Sequence, residues 1–202
     1  MLYNFYKTYN FFDYFKLNKL LDSTIINEIE QNVSTLDFEK GIVSDSENKS
    51  LSRKSNIKWI YNNHNTLKIF EHLSKTIITT NNQHFNFSIK GSKDPLQYVE
   101  YSSNIKGYYD WHQDDIFNFE PNIPLNFLRK LSLTIQLSDP NEYEGGDLEI
   151  SLPQPEKNII VKVPREKGKI IIFPSYLFHR ITPVTKGIRK SLVWWVGGSP
   201  FK

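Results

Sequence analysis

The sequence predicts a mainly β domain, a jelly roll buttressed by helices. Three observations carry that expectation. From Leu96 to Val196 the chain breaks into short runs of β-branched and aromatic residues, separated by Gly, Pro and Asp turn signals. Short strands at such regular spacing indicate a sandwich or barrel. No helical segment alternates with these runs, which sets aside a parallel α/β sheet. Helical periodicity is confined to the first half, to about Lys93, which is rich in Asn and mixed in character.

Taken in order, Tyr9 to Leu17 reads as a strand. Asp22 or Ser23 can cap a helix running to about Val33, with Ile25, Ile26 and Ile29 on one face. Asp37 to Ser55 is polar and reads as a loop, and Ile57 to Tyr61 as a short strand. Leu67 to Thr80 repeats the helical pattern, with Leu67, Phe70, Leu73 and Ile77 at helical spacing. The expected strands of the second half are Leu96–Tyr101, Tyr108–Asp114 after a turn at Gly107, and Leu131–Leu137, ended by Asp139-Pro140. Asp147–Leu152 follows the Gly145-Gly146 turn. Ile159–Val163, Lys169–Phe173, Leu177–Pro183 and Arg189–Val196 complete the set. With no internal repeat or low-complexity linker, residues 1–202 read as one domain, with 1–93 as the buttress and 94–202 as the jelly-roll core.

The chain has 202 residues, 25 Lys and Arg against 22 Asp and Glu, and no Cys. The missing cysteine excludes disulfides, Cys-ligated zinc, iron–sulfur clusters and thiol catalysis, so any metal must be held by His, Asp or Glu. The charges are spread, with no Lys/Arg run dense enough to argue for nucleic acid. No stretch approaches the roughly 20 apolar residues of a membrane span. The aromatic, polar N-terminus lacks the pattern of a signal peptide, so the expected compartment is cytoplasmic. Its Tyr3, Phe5, Tyr6, Tyr9, Phe11, Phe12, Tyr14 and Phe15 are expected to pack a strand onto the barrel.

Of the five histidines, His64, His72 and His84 lie in the polar first half and read as surface residues. His112 lies in Trp111-His112-Gln113-Asp114-Asp115. On a strand, residues i and i+2 share a face, so His112 and Asp114 can project together. Asp110 has the same parity and Asp115 is adjacent, so spacing leaves the choice of carboxylate open. His179, on a late strand, can complete a two-histidine, one-carboxylate metal site with three open positions, characteristic of non-haem Fe(II) oxygenases. Arg189 follows ten residues later and opens a strand whose later residues are apolar. A guanidinium buried there needs an anion, which a dicarboxylate would supply, with Ser191 facing the same way. The competing reading is an internal ion pair.

These residues lie in three segments: YSSNIKGYYDWHQD (Tyr101 to Asp114), RKLSLTIQLSDPNEYEGGDL (Arg129 to Leu148) and GKIIIFPSYLFHRITPVTKGIRKSLVWWVGG (Gly168 to Gly198). Together they resemble the Fe(II)/2-oxoglutarate-dependent dioxygenases, in the prolyl 4-hydroxylase-like branch, and hydroxylases common in bacteria and their phages. Arg53-Lys54-Ser55 through Trp59-Ile60 is similar to those proteins more loosely. The resemblance implies a double-stranded β-helix and a cofactor set of Fe(II), 2-oxoglutarate and dioxygen, with ascorbate as an accessory. It places iron on His112, Asp114 and His179, and the far carboxylate of 2-oxoglutarate on Arg189 with Ser191. Tyr101 and Trp195 would wall the cosubstrate pocket. Gln136 stands where some relatives carry a tyrosine that touches the cosubstrate. The implied reaction hydroxylates a C–H bond and converts 2-oxoglutarate to succinate; Asp114 argues against halogenation, whose enzymes have a small residue there. The implied substrate is a protein or peptide, at proline or a similar residue, chosen by the loops Asp37–Ser55, Gly91–Pro95 and Ile116–Phe127. The alternatives are a free amino acid or other small metabolite, a non-catalytic cupin-like metal-binding module, or a nucleic acid on Arg53, Lys54, Lys58, Arg129, Lys130 and Arg180.

Overall fold

Alternation with period two decides how the second half folds. In Leu128–Gln136, the residues Leu131, Leu133 and Ile135 are apolar while Ser132, Thr134 and Gln136 are polar. In Val184–Gly198, Leu192, Trp194 and Val196 alternate with Arg189, Ser191, Val193 and Trp195. A strand written this way must face two different environments. The computed structural model describes residues 16–41, 52–114, 127–154 and 156–200, and shows both.

The strands are β1 (Lys16–Leu20), β2 (Glu39–Lys40), β3 (Arg53–Lys54), β4 (Asn56–Ile60), β5 (Leu96–Ser102), β6 (Tyr108–His112), β7 (Leu128–Gln136), β8 (Tyr143–Gly145), β9 (Leu148–Leu152), β10 (Ile159–Lys162), β11 (Lys169–Pro174), β12 (His179–Ile181) and β13 (Val184–Gly198). Helix α1 spans Ser23–Ser34 and α2 spans Leu67–Thr80, the latter continued by a π-helical turn at Asn81–Phe85. Among the described residues the strands form two antiparallel sheets. The larger runs β1-β11-β7-β13-β5-β4-β2, with β8 added to β13, and the smaller runs β10-β9-β12-β6-β3. The mainly β fold with buttressing helices is as the sequence predicts.

The larger sheet has a core on each side. Its outer face (Leu131, Leu133, Ile135, Ile170, Ile172, Leu192, Trp194) packs against Ile26, Ile29 and Val33 of α1 and Ile69, Phe70, Leu73 and Ile77 of α2. Its inner face meets the smaller sheet through Ile57, Val99, Ile150, Ile171 and Phe173. The Asp22 side chain caps α1 by accepting from the Thr24 amide at 2.7 Å, which ties down one of the orphan amides of the first turn.

Several boundaries differ from the sequence reading. The first described strand runs on to Leu20, and residues 1–15, with the aromatic N-terminus, lie outside the described residues. The Asp37–Ser55 loop begins and ends in short strands, β2 and β3, recruited by pairing to β4 and β6; residues 42–51 lie outside the description. Leu67 is exposed at the first turn of α2, and Ile69 takes its place in the core. Strand β13 starts five residues before Arg189, because pairing with β8 and then with β5 and β7 extends it. Strands β3 and β4 belong to the two sheets themselves, so the first half supplies cavity wall as well as buttress.

Gly145 and Gly146 make the β8–β9 turn possible. Both have positive φ, +72° and +61°. A Cβ on Gly145 would sit 2.1 Å from the Pro183 carbonyl oxygen, and one on Gly146 would sit 3.1 Å from Cδ of Arg189. Gly145→Ala adds a left-handed backbone penalty of about 1–2 kcal/mol to a clash with main chain. We expect a thermal midpoint lower by at least roughly 4 °C in a melting curve.

Candidate active site

Strands β6 and β12 lie side by side, with His112 directly opposite His179. The chain leaves β6 after His112, and the Asp114 amide donates to the Ser175 carbonyl at 2.8 Å. That turn brings the Asp114 carboxylate under both imidazoles. His112 Nε2 lies 3.8 Å from Oδ1 of Asp114, and His179 Nε2 lies 3.4 Å from its Oδ2. The ligand atoms of the three residues all lie within 4.8 Å of one another. Asp110 is exposed and accepts from the Trp111 amide, so the structure selects Asp114; Asp115 lies outside the described residues.

Backbone carbonyls fix the tautomers. His112 Nδ1 is 2.7 Å from the Asp110 carbonyl oxygen, and His179 Nδ1 is 2.9 Å from that of Leu177. A carbonyl only accepts, so each Nδ1 carries its proton and each Nε2 is left for a metal. Packing holds the rings. Tyr109 stacks on His112 at 3.5 Å and Phe173 meets His179 edge-on at 4.9 Å. The Arg53 guanidinium lies over the Tyr109 ring at 4.8 Å. Ser132, on the inner face of β7, donates to Asp114 Oδ2 at 2.7 Å.

Burial and mutual charge divide the protons. Burial, reinforced by His179, pushes His112 down to about 3, so it is neutral at ordinary pH. Burial raises the Asp114 carboxyl, but His179, His112 and the Ser132 hydroxyl outweigh it and hold it well below the usual range. Burial lowers His179, but Asp114 outweighs that and lifts it above the ordinary histidine value. The metal-free site is therefore a carboxylate, a neutral imidazole and a His179 that keeps its proton to higher pH than usual. A metal must displace that proton. Below the raised pKa of His179, divalent-metal affinity should fall about tenfold per pH unit, and calorimetry in buffers of different ionisation enthalpy should register one proton released. Ser132→Ala leaves Asp114 unsupported and should weaken metal binding by roughly tenfold at constant pH.

The three residues open on a cavity of about 260 Å³ between the sheets. Arg189, Ser191, Tyr101 and Trp195 line the same cavity. Arg189 is 3% exposed, and its Nη1 donates to Ser191 Oγ at 3.1 Å. Its guanidinium sits 5.7 Å from the Tyr101 ring centre. No carboxylate pairs with it among the described residues. Burial lowers its pKa, and the groups around it that favour the charge are the Tyr101 and Tyr143 phenols. Trp195 is likewise buried and carries an Nε1–H with no partner among the described residues; Arg129 lies 4.1 Å over its ring.

Gln136 is not on the wall of this cavity. It donates through Nε2 to Tyr143 Oη at 2.8 Å, deeper in the barrel. Three residues that the sequence reading did not assign to the metal or the cosubstrate, Arg53, Tyr109 and Ser132, line this cavity. The period-two run of Ser132, Thr134 and Gln136 on an otherwise apolar strand was the signal for Ser132. Of the six residues named for a nucleic-acid groove, Arg129 is bidentate to Asp94, Arg180 is paired with Glu149, and Lys58 donates to the Val33 carbonyl. His64, His72 and His84 are exposed. No described helix is long and apolar enough to cross a membrane.

The donor set suits iron. Two imidazole nitrogens and one carboxylate, open to a cavity, are the ligands of non-haem Fe(II) sites. The buried Arg189 in the same cavity, without a carboxylate partner among the described residues, suits a carboxylate ligand beside a metal. The fold and site thus define a jelly-roll protein with a two-histidine, one-carboxylate metal centre. The chain belongs to the 2OG-Fe(II) oxygenase superfamily, whose family model matches residues 96–197. It is 34% identical over 90 residues to a PKHD-type hydroxylase of Acidovorax ebreus (strain TPSY), covering 45% of this chain and 38% of that one. It is 36% identical over 106 residues to a PKHD-type hydroxylase of Xylella fastidiosa (strain M12), covering 50% and 44%. The matched region therefore spans less than half the length of these curated relatives.

Solved structures share the fold. A prolyl hydroxylase from Trichoplax adhaerens, in complex with a hypoxia inducible factor oxygen degradation domain peptide fragment, aligns with a TM-score of 0.66 at 21% identity, over 91% of this chain and 83% of that one. A Pseudomonas putida prolyl-4-hydroxylase aligns with a TM-score of 0.63 at 15% identity, over 92% and 93%. The expected prolyl 4-hydroxylase-like jelly roll is the fold observed.

Proposed function

We propose that this chain is an Fe(II)- and 2-oxoglutarate-dependent dioxygenase that hydroxylates a C–H bond of a protein or peptide, at proline or a similar residue, as 2-oxoglutarate is decarboxylated to succinate. The observation that carries the reading is Arg189, a buried cation without a carboxylate partner among the described residues, in the same cavity as His112, Asp114 and His179. A dicarboxylate held at one end by Arg189 leaves its other end for the metal.

Iron on those three ligands, with 2-oxoglutarate and dioxygen, supplies the oxidising power for the C–H bond. The chain does the positioning. The two Nδ1–H bonds to Asp110 and Leu177 keep both imidazoles aimed, and Ser132 keeps the carboxylate aimed. Arg189 and Ser191 hold the far carboxylate of the cosubstrate, and Tyr101 closes the cavity beside them. Ile57, Val99 and Leu148 on the walls keep water away from the reacting centre. Trp195 forms a wall higher in the cavity. No side chain is given an acid–base role.

Two observations support a peptide substrate. Among the described residues that line the cavity the only carboxylate is Asp114, which this reading assigns to the metal. The ammonium group of a free amino acid would find no other counter-charge among them. A structural neighbour is also described with a peptide bound. The deciding experiment is an anaerobic titration of the protein with Fe(II) and then 2-oxoglutarate, followed by succinate formation with peptides and with free amino acids. A visible chelate band and peptide-stimulated turnover are expected. Metal binding without a band leaves the cupin-like reading, and stimulation by small molecules alone replaces the peptide.

A further inference from the structure

Next to the cavity, on a void that shares Arg189 with it, lies a donor with no assigned role. Behind Arg189 lies a second void of about 10 Å³, which shares Thr134, Leu148 and Arg189 with the wall of the larger cavity. Tyr143 and Gln136 line it, both 3% exposed. The Tyr143 oxygen accepts from Gln136 Nε2 at 2.8 Å and interacts with the Arg189 guanidinium. Arg165 sits 5.0 Å over the Tyr143 ring and is itself held by Asp147 and the Gly145 carbonyl.

The groups that touch the Tyr143 oxygen, Gln136 Nε2 and the Arg189 guanidinium, are both donors. Guanidinium groups and the amide NH₂ offer hydrogens and take none. The Tyr143 oxygen is therefore supplied, while its own O–H has no acceptor among the described residues. A buried donor left in that state is costly, and an oxygen brought by a ligand removes the cost. Burial keeps the phenol above its ordinary pKa in spite of the two arginines, so the proton is present at neutral pH.

We propose that the Tyr143 hydroxyl donates a hydrogen bond to the far carboxylate of 2-oxoglutarate beside Arg189, and that Gln136 is the positioning residue that turns it there. The inference rests on 2-oxoglutarate being the cosubstrate. It gives Gln136 a task at a position where some relatives carry a tyrosine. The β7 residue does not line the cavity; it holds a tyrosine from β8 beside Arg189. Arg165 keeps the ring flat against the barrel wall.

The test compares two oxo acids on the anaerobic Fe(II) protein, reading dissociation constants from the chelate band, with no turnover involved. One is 2-oxoglutarate and the other 2-oxobutanoate, which has the metal-chelating end but no far carboxylate, titrated to tens of millimolar. Tyr143→Phe should weaken 2-oxoglutarate about tenfold or more, and 2-oxobutanoate by less than about twofold, because only the former loses a charge-assisted hydrogen bond. Gln136→Leu should show the same selectivity with a smaller loss, roughly threefold. Equal weakening of both acids in Tyr143→Phe marks a purely structural tyrosine and overturns the proposal, as does no change in either. Failure of the underlying reading looks different: wild type shows no band with 2-oxoglutarate, or Arg189→Met binds it as tightly as wild type.

Discussion

His179→Ala should reduce conversion of 2-oxoglutarate to succinate to background. Two effects combine. The variant removes one of three ligand atoms, and loss even of a residue that only supports a ligand costs about 10–100-fold in metal affinity. It also removes the principal cation beside Asp114, the charge that most opposes the cost of burying that carboxylate. Asp114 then titrates at higher pH than in the wild type, and its proton competes with the metal. A metal titration at neutral pH should show affinity reduced by at least roughly 100-fold. Circular dichroism should show the sheets intact, since the core residues of both clusters are untouched. Turnover equal to wild type would remove His179 from the centre.

Arg189→Met should move binding and stability in opposite directions. Truncating one partner of a buried charged pair costs about 2–5 kcal/mol, so 2-oxoglutarate affinity should fall by roughly two to three orders of magnitude. The free protein should behave otherwise. Arg189 is 3% exposed and has no carboxylate beside it among the described residues. Replacing buried charge by an apolar side chain of similar volume is often stabilising, by about 1–4 kcal/mol. At about 2–4 °C per kcal/mol for a chain of this size, the ligand-free melting point should rise by several degrees. A ligand-free variant that melts well below wild type would mean that Arg189 serves the fold and not a ligand.

Much of the architecture was legible because the core strands carry their pattern openly. Leu67–Thr80 forms the helix that its periodicity predicts, to the residue. The short strands β2, β3 and β8 were not legible. Each has two or three residues and exists only through a longer partner, so no local run announces it. The metal triad was within reach of the sequence because His112 and Asp114 are two residues apart and His179 is followed by Arg189 at hairpin distance. The route by which Asp114 reaches the site was not, since it depends on a bond from its amide to Ser175 across the sheet. Tyr143 was hidden for a related reason. Its partners, Gln136, Arg165 and Arg189, lie on separate segments, and only the closed barrel assembles them.

The two-sided packing of the larger sheet has a consequence for how such a protein can change. Along β13, every second residue is answerable to the helices outside and every other one to the cavity within. Substitutions at Leu192, Trp194 and Val196 are therefore paid in folding, whereas those at Ser191, Val193 and Trp195 fall on ligand chemistry. Because the outer row of β13 holds the helices, its inner row can drift in size and polarity while the helix-packed core stays intact. A lineage built on this sheet can try new substrates one alternate residue at a time.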